Sequence, residues 1–520
     1  MNPRLSTLAV LGATVSIVVA CGGGGSSDTS QTPPSTPASV DTTLRSLLAA
    51  NQVSAPARPT QSDAQYSLGL NLFTSTLLSG NQKVACSSCH PIGNAGVDNQ
   101  PLAIGVNGTG SRLARIGTPQ IPRNTPDLLN KTVGSRQFMF WDGRVSYQNG
   151  AFHTPAGDKL PSGLESVVAA QALFPMVSRD EMLGYYDTTD TNELADLVAA
   201  DVAVDSNPQP VWNGIMARLR ANPAMAAALT AAYPDVRLED MGIQHVANAI
   251  AAYESRRWYG FGNTNVLMNY VAGTVDISDS AKRGGVLFFD KAGCARCHTG
   301  PLLSDQKFHN LAVPQIGPGA GSGQHDTPVR DKGRYEVTHD DADLYAFLTP
   351  SLWEVQYTFP YFHNGVYSTL DEVVRHHLDA TNAARNYRCS GTLTAGGSAV
   401  ACRDSTSAGT LYEDMIARLD EKLRTPITID DYVNSRMIAD PIRLLDCVMP
   451  ADGASGLIMM SKAMAKAKGF KNCVIPVGYG ERTNYGGAIN LVDPTLSGHK
   501  PAGEKAFKQA GMAVKDVASF

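Results

Sequence analysis

Beyond its first twenty residues the chain has no uninterrupted apolar run of the roughly 18–20 residues that cross a membrane, so no second anchor is expected. It has no basic excess. Lys and Arg number 43 against 48 Asp and Glu, and the net charge of −5 offers no field for nucleic acid. Strict apolar–polar alternation is scarce, which argues against a sheet-built core. Cysteine is sparse too, nine in 520 residues. What is present suffices for a globular protein. The chain is 43% hydrophobic and long enough for about three or four domains.

Four of the nine cysteines fall in two short strings, Cys86-Ser87-Ser88-Cys89-His90 and Cys294-Ala295-Arg296-Cys297-His298. Each is a C-x-x-C-H, the pattern of c-type haem attachment. The two thiols form thioethers with the haem vinyl groups, and the adjacent His reaches the iron. A zinc half-site or a thioredoxin-like pair is the other reading of one such string. Two copies in a cysteine-poor chain point to a di-haem c-type cytochrome.

The N-terminus fits export. Arg4 is followed by a mostly apolar run from Leu8 to Ala20, too short for a comfortable span. Val18-Val19-Ala20-Cys21 resembles a bacterial lipoprotein cleavage site, with Cys21 as the lipidated residue; an ordinary signal peptide cut nearby is the alternative. Gly, Ser, Thr and Pro dominate 22–59, which reads as a flexible tether. Outside the cytoplasm Cys389 and Cys402 could close a small Gly-rich loop as a disulfide.

A weak repeat precedes the two haem strings: Leu68-Gly69-Leu70-Asn71-Leu72-Phe73, and Arg283-Gly284-Gly285-Val286-Leu287-Phe288-Phe289. Both read as helices delivering the chain to a haem pocket, the second starting near Ser278-Asp279. Helical spacing also marks Asn192 to Ala203, Val211 to Tyr233 and Met241 to Arg256. The expected fold class is mainly α: two cytochrome-c-like haem domains side by side, 60–272 and 273–428.

Further landmarks follow in order: Arg123-Asn124-Thr125-Pro126, Phe140-Trp141-Asp142-Gly143-Arg144, Gln171-Ala172-Leu173-Phe174-Pro175, Glu181-Met182, Pro350-Ser351-Leu352, and Thr358-Phe359-Pro360-Tyr361-Phe362-His363-Asn364-Gly365. With the two haem strings, they make residues 68–428 resemble the bacterial di-haem cytochrome c peroxidase family, which includes MauG-type enzymes. The resemblance implies a peroxidatic haem on His90 and an electron-transfer haem on His298. It gives the distal acid/base role to Glu181, ten residues after Gln171 and six after Pro175. Gln171 would orient hydrogen bonds there and Pro175 would shape the wall. Trp141 matches the family's bridging tryptophan.

No His lies between His90 and His153, so the distal His that many resting family members carry is missing from its usual loop. The first iron is therefore expected to be open. His153, in an insertion between Trp141 and Gln171, is the one His that could reach it instead. The family's second axial ligand on the other haem lies fourteen residues after His363 and is Met, or Tyr in the MauG type. Here that position is His377, with His376 beside it as the rival. Two imidazoles favour ferric iron and a lower potential. The resemblance also implies a Ca²⁺ held by Asn124, Thr358 and Pro360.

The implied function is reduction of hydrogen peroxide in the periplasm, with electrons from a small cytochrome c or copper protein. The alternative is a MauG-like oxidation of Trp or Tyr on a partner protein through a high-valent haem state, and a non-catalytic electron-transfer cytochrome is a third class. No nucleic acid is expected, membrane contact runs only through the lipid anchor, and a homodimer is compatible. The last segment, 429–520, belongs elsewhere. Its run from Asn434 to Cys447, Asp452-Gly453-Ala454-Ser455-Gly456, Ser497-Gly498-His499 and Ala506-Phe507 resemble part of an α/β thiolase-like enzyme. It lacks the half that carries a thiolase nucleophile, so no activity of its own is expected.

Overall fold

The computed structural model describes residues 39–423, apart from 56, 58, 94, 111–113, 132–135, 186–191, 200–202, 260–265, 320–329, 390–392 and 403–408, and beyond them 437–439, 442–443 and 508. The chain divides into two compact units, 1–449 and 450–520, and the fold below is that of the first. The export signal with Cys21 lies outside the described residues. So does the thiolase-like segment, except for a short strand pair, Met437–Ala439 with Ile442–Arg443, and Lys508.

The unit is mainly helical. The principal helices are α1 (Val40–Ala50), α2 (Asp63–Thr74), α3 (Gln209–Ala221), α4 (Pro223–Ala232), α5 (Ile243–Arg257), α6 (Asp279–Phe289) and α7 (Leu370–Leu378). Each start has a local cause. Ser62 and Ser278 accept the backbone N–H groups of Gln65 and Ala281 at the heads of α2 and α6. Thr369 and Glu372 cap α7 reciprocally. The helical stretch expected from Val211 to Tyr233 is two helices, because Asn222 caps a new start at Pro223. From Asn192 to Ala203 the described residues form a single helical turn, Glu193–Asp196.

Two glycines set the helix crossings. A Cβ on Gly69 of α2 would lie 2.0 Å from the Ala249 carbonyl oxygen and 2.6 Å from Tyr253 Cβ on α5. Only glycine lets these helices meet so closely, and the crossing buries Leu68, Leu72 and Phe73 against Val246, Ala249, Ile250 and Tyr253. Gly285 of α6 lies at the crossing with α1, where a Cβ would sit 2.7 Å from the movable end of the Leu44 side chain.

That second crossing corrects the expected tether. Residues 22–59 are not irregular throughout, since α1 starts at Val40, capped by Ser39. Leu44 and Leu48 form its apolar stripe and are buried with Val286, Tyr270 and Trp353. The Gly/Ser/Pro composition of the whole stretch masked this short period. The helix ends against the second haem string: Asn51 O accepts the Thr299 hydroxyl and the Gly300 N–H, both at 2.9 Å.

Strands are few and short. β1 (Phe138–Met139), β2 (Val145–Gln148) and β3 (Ala151–His153) form an antiparallel sheet, with Tyr147 opposite Phe152. Its tight turn is Asn149-Gly150, both at positive φ (52° and 81°). β4 (Phe308–Asn310) pairs antiparallel with β5 (Ala346–Leu348). One apolar cluster fills the first half. Another joins Leu102 and Ile104 of the first half to Val313, Ile316, Val366 and Val400 of the second. The expected Cys389–Cys402 disulfide is formed, with Cα atoms 6.0 Å apart.

Candidate functional site

The first haem string is one helical turn, Cys86–Cys89, followed by His90. His90 Nδ1 donates to Gly96 O at 2.6 Å, which fixes the tautomer and leaves Nε2 bare for a metal. Burial lowers the His90 pKa to about 4, so the ring is neutral and ligand-ready at pH 7. Phe73 packs beside it, ring centroids 6.5 Å apart.

His90, Cys86 and Cys89 line a cavity of about 1390 Å³, larger than the ~300–1,000 Å³ of most small-molecule sites. Gln171, Pro175, Glu181 and Trp141 line the same cavity, and His153 stands at its exposed rim. Glu181 sits in one wide turn, Arg179–Leu183, closed by i→i+5 bonds from Leu183 N to Ser178 O and from Gly184 N to Arg179 O, both 2.9 Å. Burial raises the Glu181 pKa, opposed by the nearby Arg144 charge. A carboxyl so placed keeps its proton to a higher pH than an exposed one.

Whether this cavity fits a haem is tested by its polar wall. Arg136 presents Nε and Nη2, buried without hydrogen-bond partners. A guanidinium in that state marks the place of an anion, and haem carries two carboxylates. Lys131 lines the same wall, 3.1 Å from Asp127. The four motif cysteines are free. Cys86 and Cys89 belong to no metal-spaced grouping of His, Cys, Asp and Glu among the described residues. The residues therefore fit a covalently attached haem better than a zinc site.

The second string is built the same way. His298 Nδ1 donates to Leu303 O at 3.0 Å, and Phe288 packs 6.2 Å from its ring. Burial lowers its pKa to about 4, and His377 adds to the shift. The two candidates on α7 differ sharply. His376 is 1% exposed and has both nitrogens engaged, Nδ1 with the Tyr367 hydroxyl at 3.1 Å and Nε2 with Leu311 O at 2.7 Å. His377 spends only Nδ1, on Val373 O at 2.8 Å, and stacks on Phe362. His377 thus has a nitrogen free for iron and His376 does not. His363 lies flat on Phe347, ring centroids 3.5 Å apart, and its carbonyl accepts the Asn124 N–H at 2.7 Å. It braces the wall between the two sites.

Trp141 joins the halves. Its indole N–H donates to Asn124 O at 3.1 Å, and its carbonyl accepts Leu348 N of β5 at 2.8 Å. Around it runs a buried ionic network. Arg123 binds Asp331 and Asp142; Arg144 also binds Asp142; Arg334 donates to the carbonyls of Asp142 and Gly143. Asp331, Arg136 and the pocket role of Arg144 were missed from the sequence. Arg144 alone had a signal there, its place in the Phe-Trp-Asp-Gly-Arg string.

The three residues expected to hold Ca²⁺ lie in adjoining loops. Asn124 Nδ2 donates to Gln100 O and Pro101 O at 2.8 and 3.1 Å. Asn99 holds Phe359 O, between Thr358 and Pro360, at 2.9 Å. The described grouping that does have metal-like spacing, Cys297, Asp305 and His309, has no ring nitrogen to spare. His309 binds Asp420 through Nδ1 and Asp305 through Nε2.

Comparison with known proteins agrees with this geometry. Residues 63–259 match the model of the family described as di-haem cytochrome c peroxidase. Among curated relatives, cytochrome-c peroxidase IdrP1 of Pseudomonas sp. (strain SCT) is 28% identical over 343 residues, 62% of this chain and 74% of that one. Methylamine utilization protein MauG of Methylorubrum extorquens is 29% identical, over 60% of this chain and 67% of that one. Cytochrome c551 peroxidase of Pseudomonas aeruginosa is 27% identical, over 60% and 71%. The thiolase-like reading of the C-terminal segment finds no support in these matches.

Proposed function

Since residues 63–259 match the di-haem cytochrome c peroxidase family, we propose that the protein reduces hydrogen peroxide to water with electrons from a small redox protein outside the cytoplasm. The observation that carries this reading is the single cavity holding His90, Glu181, Gln171, Pro175 and Trp141. Two haems, once attached to Cys86/Cys89 and Cys294/Cys297, supply an iron centre for peroxide and a second redox centre for incoming electrons.

The chain's own residues do the rest. Glu181 accepts the proton of one peroxide oxygen and returns it to the other, which leaves as water. Gln171 orients the bound peroxide and Pro175 narrows the wall beside it. Burial raises the Glu181 pKa and the Arg144 charge opposes that rise. Trp141 lies between the sites with its polar atoms tied to both halves, an oxidisable ring on the path between haems. His298 and His377 would hold the second iron and shield it from peroxide, the first being held by His90. The relatives' names favour this reading over oxidation of a partner protein.

A Ca²⁺ at Asn124, Thr358 and Pro360 would pin the loops that carry Trp141's partner and His363. The amide oxygen of Asn124 and the carbonyls of Thr358 and Pro360 would be its ligands. Cys21 would carry the lipid that keeps the protein at the membrane.

The deciding test is steady-state turnover of haem-loaded protein with hydrogen peroxide and a reduced small cytochrome c. Oxidation of the cytochrome in a 2:1 ratio to peroxide supports the reading. Peroxide-dependent haem oxidation without turnover of cytochrome c or of a copper protein would overturn it. Chelation and Ca²⁺ re-addition, and membrane release of a Cys21→Ser variant, test the two finer points.

A further inference from the structure

The aromatic side chains behind His90 form a connected series that the reaction above does not use. Phe73, whose ring flanks His90, lies 5.4 Å from Trp258 and 5.1 Å from Tyr253 by ring centroid. Trp258 and Tyr253 are 5.5 Å apart, and Tyr253 is 5.3 Å from Tyr66. Phe73, Tyr253 and Trp258 are fully buried, whereas Tyr66 is half-buried on α2, three residues from the fully exposed Asp63. Three oxidisable rings thus lead from Phe73, on the wall of the first site, to the surface.

We propose that this series is an exit for oxidising equivalents, with Tyr66 as the residue where they come to rest when no electron donor is bound. The inference rests on the peroxide-reducing reading. The physical argument is where a proton can go. Oxidised tyrosine is stable only once it has lost its phenolic proton. Tyr253 Oη is buried and faces the Arg257 guanidinium, a donor that cannot take up that proton. Arg257 lies 5.7 Å above Trp258 and opposes a positive charge on the indole. Both rings therefore pass the charge on rather than keep it. Tyr66 meets solvent and gives its proton to water. Arg256 over its ring, at 4.5 Å, disfavours the cation and so favours the neutral radical.

The balance is simple. Peroxide takes two electrons and two protons and becomes two waters. Without donor, Tyr66 supplies both electrons in two successive rounds, its phenolic proton entering solvent each time. Each resulting phenoxyl is quenched by a hydrogen atom from a small phenol or thiol, so two molecules of that reductant are consumed per peroxide.

The test treats haem-loaded protein with hydrogen peroxide, without donor and in the presence of a nitroso spin trap, followed by peptide mapping. The adduct is expected on Tyr66. It should disappear in Tyr66→Phe, in which excess peroxide should also bleach the haems faster than in wild type. Turnover with donor should be unchanged, because Tyr66 touches neither site. Tyr253→Phe keeps the packing but removes the oxidisable ring that touches Tyr66, so its Tyr66 adduct should be much weaker than in wild type. An adduct on Trp141 or elsewhere in wild type, or wild-type bleaching in Tyr66→Phe, overturns the proposal. Absence of any peroxide-driven change in the haem spectrum would instead sink the peroxidase reading on which it rests.

Discussion

Arg123 meets Asp331 edge-on across 208 residues of sequence, with Nε and Nη2 2.7 and 2.8 Å from the two carboxylate oxygens. Its remaining nitrogen binds Asp142, the residue after Trp141. All three side chains are buried, so the pair works as a clamp: one half of the unit holds the other beside Trp141. Burial would raise both carboxyl pKa values, but the charges of Arg123 and, for Asp142, Arg144 outweigh it and hold them below the usual range.

Asp331→Asn should remove this pair while keeping its shape. The expected loss is about 3–5 kcal/mol of stability, because Arg123 is left buried with half its partners. The pH dependence has a definite sign. A carboxylate with a depressed folded pKa stabilises fully above its unfolded value of ~3.9 and loses that stabilisation as pH falls through the folded pKa. Wild type should therefore lose stability more steeply than the variant as pH falls below about 4. Denaturant midpoints of the haem-loaded proteins across this range decide it, and parallel curves would show that the pair contributes nothing.

Glu181→Gln should leave both haems attached and slow the first reaction with peroxide by about 10²–10⁴-fold, the usual worth of a positioned acid/base. Because burial raises its pKa, the carboxylate form needed to accept a proton appears only above the ordinary carboxylate range. The wild-type rate should climb with pH through that raised value and then level, while the Gln variant should lack the step. Stopped-flow rates over pH 4 to 8 check both claims.

How far this could be read from the sequence depended on the kind of contact. The two haem strings, their preceding helices and the Gln171–Glu181 pocket were legible, because each is a local pattern tied to one chemistry. The hairpin from Val145 to His153 was missed although Asn149-Gly150 announces it; short strands carry little periodicity. Asp331 and Arg136 were invisible in principle. Their meaning comes from a partner 208 residues away in one case and from an orphaned guanidinium facing a cavity in the other. Helix α1 was hidden by averaging composition over a longer stretch.

Helix α1 supports the second haem from the far end of the chain. Leu44→Ala should cost about 2–5 kcal/mol, the range for emptying a packed leucine site. The loss should fall selectively. Asn51 holds Thr299 and Gly300, next to His298, so the second haem's low-spin signal should weaken or soften thermally before the first haem changes. Magnetic circular dichroism on heating resolves the two haems. Simultaneous loss of both would show that α1 serves the whole unit instead.

The last prediction separates the two histidines of α7. His376 already satisfies both ring nitrogens, with Tyr367 and Leu311, and binding iron would cost it one of these buried bonds. His377 donates once, to Val373, and keeps Nε2 free. The expected second haem is therefore six-coordinate and low-spin through His298 and His377. His377→Ala should open it, adding a second high-spin signal and a second site for cyanide. His377→Met should keep it low-spin and raise its potential, because a thioether favours ferrous iron where imidazole favours ferric. His376→Gln should leave the spin state and potential close to wild type and cost only stability, by unsettling Tyr367. Electron paramagnetic resonance and redox titration of the three variants read these outcomes. A low-spin signal that survives His377→Ala and collapses in His376→Gln would reverse the assignment.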